Sequence, residues 1–293
     1  MTEIEFTSWH KCSESPYFDP KSFYETFDGG QSFAWDRHAD YIEGRFLTSI
    51  FRLRLENNRI LFSIPKTANL ETEERSLANY LAIDLDFESM RDSLPWRSDS
   101  ILKQAIDAYP NLRILRQPLS ETLLGFLCSS TKQIPQIKQI LRLSAEFYGD
   151  TIIAPIKSLP DWDSLAKLEE NQLRNLKLGY RANYIKQSAD FLKENPDFLS
   201  KLSSLPTQVA KERLMQLPGV GEKIADCVLL FGLGKMESFP IDTWIEKILI
   251  RFYQLEGYSK KQLQQFAFSH FGASAGYAQQ FLFSAARSES IKI

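Results

Sequence analysis

The stretch Leu217-Pro218-Gly219-Val220-Gly221-Glu222-Lys223, running on to Pro240-Ile241-Asp242, decides how the chain is read. Before it, Val209 to Gln216 reads as a helix of good formers, among them Ala210, Lys211, Glu212 and Leu214. After it, Lys223 to Phe231 reads as another, with Ile224, Val228 and Phe231 on one side. Two helices joined through Pro-Gly-Val-Gly make a tight hairpin over residues 209–231. The glycines permit backbone angles closed to other residues, and Pro218 is pre-set for the turn. Such a turn leaves unpaired N–H groups at the start of the second helix, where a phosphate is well received. Taken alone, it fits an ordinary helix–turn–helix connection equally well.

Lys223 shifts that balance. It falls in the first turn of the second helix, where the positive end of the dipole disfavours another cation. A neutral amine is what a Schiff-base nucleophile needs. Asp242 follows Pro240 at the expected start of the next helix. Its plain role is a helix N-cap, for which Asp is favoured. Its chemical role would be to activate an amine and to stabilise a cationic sugar in a transition state.

Composition sets the outer bounds. At 293 residues with 43% hydrophobic side chains, the chain has ample material for a core and for one large or two to three small domains. No apolar run approaches the ~20 residues of a membrane span, and the N-terminus reads as no signal peptide. Cys12, Cys128 and Cys227 are widely spaced, which gives neither a disulfide framework nor a metal-binding pattern, and a reducing cytoplasm fits best. The net charge of −2 does not announce a nucleic-acid binder. Lys211, Arg213, Lys223, Lys235, Lys247 and Arg251 do cluster around the hairpin, although solvated lysines on amphipathic helices would look the same.

The period of the apolar residues divides the chain. Residues 1–95 read as an antiparallel sheet domain with covering helices: Ser32 to Trp35 alternates, Tyr41 to Ile50 is aromatic and branched, and Phe51 to Leu55 alternates. Asn57-Asn58 supplies a hairpin turn before Arg59 to Ile64, and Glu71 to Leu81 reads as a helix. Residues 96–293 switch to helical spacing. The fold class is α+β.

LPGVGEKIADC followed by FPID resembles the helix–hairpin–helix and Gly-Pro-Asp region of the base-excision DNA glycosylases. The lysine after the hairpin marks the bifunctional members, and the continuation through Cys227 most resembles the 8-oxoguanine DNA glycosylase/AP lyases. Gly29-Gly30-Gln31-Ser32-Phe33 resembles an element that lies beside the flipped base in that family. The resemblance implies that the Gly30 carbonyl accepts the N7–H that distinguishes 8-oxoguanine from guanine. Near the end, Ala275 to Ser284 resembles the family's last helix. There Gln279 matches the amide that reads the base edge, Phe283 the aromatic that stacks on the base, and Cys227 would form the opposite wall. Leu178-Gly179-Tyr180-Arg181-Ala182 resembles the segment that fills the gap in the duplex, with Tyr180 as wedge and Arg181 facing the orphaned base. Gly219 and Gly221 would hold a downstream phosphate.

Departures from the pattern carry their own expectations. Thr131-Lys132-Gln133 replaces an asparagine run, Gln136 stands where an arginine helps to read the orphan cytosine, and Trp244 replaces a histidine. A looser preference for cytosine opposite the lesion follows from losing that bidentate donor. With no cysteine beyond Cys227, the four-cysteine iron–sulfur loop of the endonuclease III branch is not expected.

The resemblance therefore implies a monomeric, bifunctional DNA glycosylase/AP lyase acting on double-stranded DNA that contains 8-oxoguanine. No metal or cofactor is expected in the chemistry, with a possible structural monovalent cation at the hairpin and no membrane partner. The alternatives are an alkylated-purine glycosylase of the same fold, and a non-catalytic protein that uses the hairpin as a DNA clamp.

Overall fold

Two short turns set the register of the sheet. Asn57 (φ 50°) and Asn58 (φ 64°) both lie in the left-handed region, which asparagine tolerates, and close a two-residue hairpin that pairs Glu56 with Arg59. The computed structural model of the protein describes residues 4–292. In it β1 (His10–Lys11), β2 (Trp35–Arg37), β3 (Ile42–Phe46), β4 (Ser49–Glu56) and β5 (Arg59–Ser63) form an antiparallel sheet in the order β1-β5-β4-β3-β2.

The expected strand from Tyr41 to Ile50 is two strands. The chain reverses at Leu47-Thr48, with Leu47 at φ 51°, a turn that carries none of the residues that usually announce one. Of Ser32 to Ala34, only the Ala34 carbonyl reaches the sheet, accepting from Arg45 N–H at 3.3 Å. The Ser32 hydroxyl accepts from the Ala34 N–H at 3.3 Å and lies 3.1 Å from the Tyr80 hydroxyl, so local bonds compete with the ladder.

One face of the sheet packs on Pro20–Asp28, an unforeseen helix whose Asp19 cap accepts from Ser22 N–H at 3.0 Å, and on Leu70–Tyr80. Phe23, Phe27, Trp35, Phe51, Leu53 and Phe62 fill that core and are all at most 1% exposed. The same core takes in Leu115, from beyond residue 95, so the two halves of the chain share a wall.

The rest is helical apart from a two-stranded antiparallel sheet of Thr151–Ile153 and Ile156–Lys157, and its larger core closes around Glu222–Leu233 and Ala275–Arg287. Helix Ala275–Arg287 returns to the sheet domain. Arg287 pairs with buried Glu25 at 2.5 Å, and the Tyr277 hydroxyl donates to the Leu112 carbonyl at 2.6 Å. Gln31 ties the same junction, with its Nε2 donating to the Arg113 carbonyl (2.8 Å) and its Oε1 accepting from Leu115 N–H (2.9 Å). The loop holding Gly30 is therefore fixed against the helical region, with a cleft beside it. Among the described residues no helix is long and apolar enough to cross a membrane.

Candidate active site

The hairpin forms between helices Thr207–Leu214 and Glu222–Leu233, the second running two residues past Phe231 before Gly234 ends it in the left-handed region (φ 65°). Gly219 also takes a positive φ (81°), and a Cβ there would come within 2.7 Å of the Tyr184 ring. That glycine is demanded by strain and by packing alike. Gly221 is different: a Cβ would meet nothing within 4 Å, and as N-cap it offers no side chain to the first amides of the helix. Those amides stay open to solvent at the positive end of the dipole, which suits an anion.

Lys223 points from that first turn into a recess whose walls include Gly30, Phe126, Cys227, Asp242, Gln279 and Phe283. The nucleophile, the carboxylate and the four base-contacting residues expected from the sequence thus share one site. The Lys223 Nζ is 3.5 Å from the Ser129 hydroxyl and 5.2 Å from the centre of the Phe126 ring. A wider groove opens from the recess past Ser130, Lys132, Trp244, Lys260 and Arg287.

Asp242 does what a cap does: its Oδ1 accepts from Trp244 N–H at 3.0 Å and Ile245 N–H at 2.9 Å. It also faces the recess, where burial raises its carboxyl above the ordinary range against the pull of those amides and of Lys223. The Cys227 thiol is buried and pushed up to about 12 by desolvation, so it stands in the wall as a neutral, polarisable group. Gln279 is 4% exposed, and its Oε1 has no hydrogen-bond partner among the described residues. A buried acceptor left unpaired costs about 1–3 kcal/mol, a cost that a ligand donor in the recess would remove. Gly30 adopts φ 104°, and a Cβ there would lie 2.9 Å from Ile134 Cδ1 and 3.6 Å from Phe283 Cε1. Only glycine leaves both the backbone angle and the gap to Phe283 intact.

Tyr180 projects from the start of helix Arg181–Glu194 and is half exposed, its ring edge-on to Tyr184 at 5.9 Å. Arg181 does not project beside it. The side chain is buried, donating to the Ser130 carbonyl, to Thr131 Oγ1 (2.6 Å) and to the Leu178 carbonyl (3.2 Å). Thr131 and the Ser130 carbonyl hold the guanidinium inward, so the expected exposure to an orphaned base is absent in this conformation. Gln136 is likewise engaged, its Oε1 accepting from Gln133 N–H at 3.0 Å in a capping box.

Sequence reasoning missed Phe126 as a site residue. Its ring stacks on Phe231 at 5.6 Å and 15° and takes Phe33 edge-on at 5.3 Å, forming the floor under Lys223. Its position inside the apolar helix Leu119–Leu127 marked it as core. Lys138 was also unread: it is buried and bonded to Asp28 Oδ1 (2.5 Å) and to the Trp35 carbonyl, which anchors one edge of the cleft.

Comparison with known proteins places this arrangement. Residues 19–123 match the model of the 8-oxoguanine DNA glycosylase N-terminal domain, and residues 131–269 match that of the HhH-GPD superfamily of base excision DNA repair proteins. The chain belongs to the HhH-GPD superfamily. Among its superfamily relatives, an Arabidopsis thaliana N-glycosylase/DNA lyase is 26% identical over 88% of this chain and 75% of its own length. The crystal structure of the Clostridium acetobutylicum 8-oxoguanine glycosylase/lyase, in complex with DNA containing cytosine opposite 8-oxoguanine, superposes with a TM-score of 0.86. Its sequence is 27% identical, and 99% of each chain is covered. A 3-methyladenine DNA glycosylase from Archaeoglobus fulgidus shares the fold at TM-score 0.75, with 18% identity, 97% of this chain and 100% of that one.

Proposed function

We propose that this HhH-GPD chain excises 8-oxoguanine from duplex DNA and nicks the strand at the resulting site, acting as a DNA glycosylase with AP lyase activity. The observation that carries the reading is the shared recess: an amine at a helix start, a buried carboxyl, an unpaired amide oxygen and two ring-sized walls face one another. The named activities of these relatives support it. A base extruded from the stack would enter between Phe283 and the Cys227 thiol. The Gln279 Oε1 would accept from its Watson–Crick edge and the Gly30 carbonyl from N7–H.

The chemistry then follows from position. The Lys223 amine attacks C1′ of the deoxyribose and the C1′–N9 bond breaks with its electrons leaving on the base, which takes up a proton. The resulting aminal loses an amine proton and opens its C1′–O4′ bond, O4′ taking a proton, to give the protonated imine. A proton lost from C2′ lets the C3′–O bond break, which is the strand nick. Asp242, desolvated and beside the amine, stabilises the cationic sugar as C1′–N9 opens. Tyr180 fills the gap left in the duplex. The open amides after Gly221 take a phosphate, and the turn at Gly219 brings the backbone close. Among the described residues no donor reaches the Gly219 or Val220 carbonyl, which fits a monovalent cation held there beside the phosphate. The chemistry at C1′ needs no cofactor.

Borohydride trapping on a labelled duplex tests this, with 8-oxoguanine placed opposite each of the four bases in turn. The expected result is a covalent adduct that Lys223→Gln abolishes. Base release with no adduct would remove Lys223 from its role. Release of a methylated purine and not of 8-oxoguanine would sink the substrate assignment.

A further inference from the structure

Asp226 lies three residues beyond Lys223 on the same helix, outside the recess and almost wholly buried. Its Oδ2 accepts from Lys211 Nζ at 2.8 Å and from Gln264 Nε2 at 2.9 Å. The same Gln264 nitrogen donates to the Phe239 carbonyl at 2.8 Å. Phe239 leads directly into Pro240, Ile241 and Asp242. One short network therefore joins four segments: the first hairpin helix through Lys211, the nucleophile's helix through Asp226, helix Lys260–Phe271 through Gln264, and the loop that ends in Asp242.

The charges in it are costly. The Lys211 and Asp226 side chains are 13% and 4% exposed, and burial lifts the Asp226 carboxyl to about 6 despite the attraction of Lys211. A buried pair of this kind is a poor source of stability compared with well-packed apolar groups, whereas its direction and length are fixed. Apolar contacts in the same place are not directional. Phe239 does stack on Phe271, at 5.6 Å and 10°, but two parallel rings resist sliding only weakly.

We propose that Gln264, held by the buried Lys211–Asp226 pair, is a positioning residue that sets the separation of the Lys223 amine and the Asp242 carboxyl. It does so by tying the helix of one to the loop of the other. This inference rests on the functional reading above, in which those two groups act on one sugar. The two hydrogens on Gln264 Nε2 serve one acceptor each, so a single planar amide spans the junction. Among the described residues no other side chain donates to the Phe239 carbonyl.

The consequence is selective. Base release needs the amine and the carboxyl together at one C1′. Imine formation at an abasic aldehyde already present needs the amine alone. A misplacement of about 1 Å can cost about 100-fold in the step that depends on it.

The test uses two variants of the full chain, each followed on two duplexes. Gln264→Met keeps the length and loses both donors; Gln264→Asn keeps the amide but falls one methylene short. Both should lose about 10–100-fold in single-turnover base release, while borohydride trapping on a preformed abasic duplex and duplex binding stay within about threefold of wild type. Melting temperatures are recorded alongside, and the asparagine variant carries the test if methionine unsettles the fold. Parallel loss in both reactions that tracks the melting temperature overturns the proposal, and so does loss in neither. A wild-type protein that releases no base overturns the functional reading and this one with it. A working wild type with parallel losses overturns this one alone.

Discussion

Replacing Asp242 by asparagine keeps the helix cap and removes the charge, which separates the two roles this residue holds. Its Oδ1 accepts from Trp244 N–H at 3.0 Å and Ile245 N–H at 2.9 Å, and an asparagine amide oxygen can accept both. Asparagine and aspartate cap equally well, and burial outweighs the pull of the helix amides and Lys223 on the carboxylate, so the fold should lose no stability on this change. Asp242→Ala loses the cap as well, a cost of about 1 kcal/mol, or roughly 2–4 °C in melting temperature. The chemical loss is much larger. A desolvated group stabilising transition-state charge is worth about 10²–10³-fold in rate, or roughly 2.7–4 kcal/mol. Both variants should therefore fall by that factor in single-turnover base release, while only the alanine variant melts distinctly lower. The assay is a quenched time course on a duplex with 8-oxoguanine opposite cytosine, run beside a calorimetric melt. An asparagine variant that keeps base release within about threefold of wild type would falsify the chemical role and leave Asp242 a cap.

Gly30→Ala puts a Cβ 2.9 Å from Ile134 Cδ1 at a φ of 104°. It should cost about 1–3 kcal/mol of stability and slow base release more than trapping on an abasic duplex, because the base wall moves and the amine does not; equal slowing of both would count against that wall. Burial pushes the Glu121 carboxyl up to about 7 from its ordinary 4.5, although it accepts from Leu47 N–H at 2.8 Å. The folded state then holds more protons than the unfolded one between those values, so stability falls as pH rises through this window. Glu121→Gln should stabilise the protein at pH 8 by at most about 3 kcal/mol, with the gap closing by about pH 4.5, as read from urea denaturation at several pH values; a gap independent of pH would refute the linkage. With Arg181 turned inward and Gln136 folded onto its own helix, excision should depend weakly on the opposing base. Gln136→Arg should restore about 1–3 kcal/mol of preference for cytosine, measured as the ratio of single-turnover rates, and an unchanged ratio would show that this position does not read the opposing base.

Local chemistry explains why some of this was legible in the sequence. The hairpin, the cap at Asp242 and the Asn57-Asn58 turn depend on residues adjacent in the chain, and they form where the sequence places them. The recess was reachable only by resemblance, since Gly30, Lys223 and Gln279 come together through tertiary packing that no spacing encodes. Phe126 was missed because an aromatic inside an apolar helix reads as core, and it is core on one side of its ring and floor on the other. The turn at Leu47-Thr48 lacks its usual residues because pairing across β3 and β4 outweighs the local cost. The expectation that Arg181 faces the orphaned base rests on resemblance alone, and in this conformation partners some fifty residues away in the chain hold the guanidinium inward. Only the fold reveals the Ser130 carbonyl that captures it.

The buried thiols have a consequence for the conditions under which the protein works. All three cysteines lie inside the protein, and desolvation holds Cys12 at about 11 and Cys128 and Cys227 at about 12. Oxidants attack the thiolate and not the thiol, and at neutral pH such a group is ionised about once in 10⁴–10⁵ molecules. Oxidising conditions are what generate 8-oxoguanine. A wall of the lesion pocket built from an exposed, ionised sulfur would be converted to sulfenic acid by the same exposure. Sealed and protonated, Cys227 lets the pocket outlast the chemistry that creates its substrate.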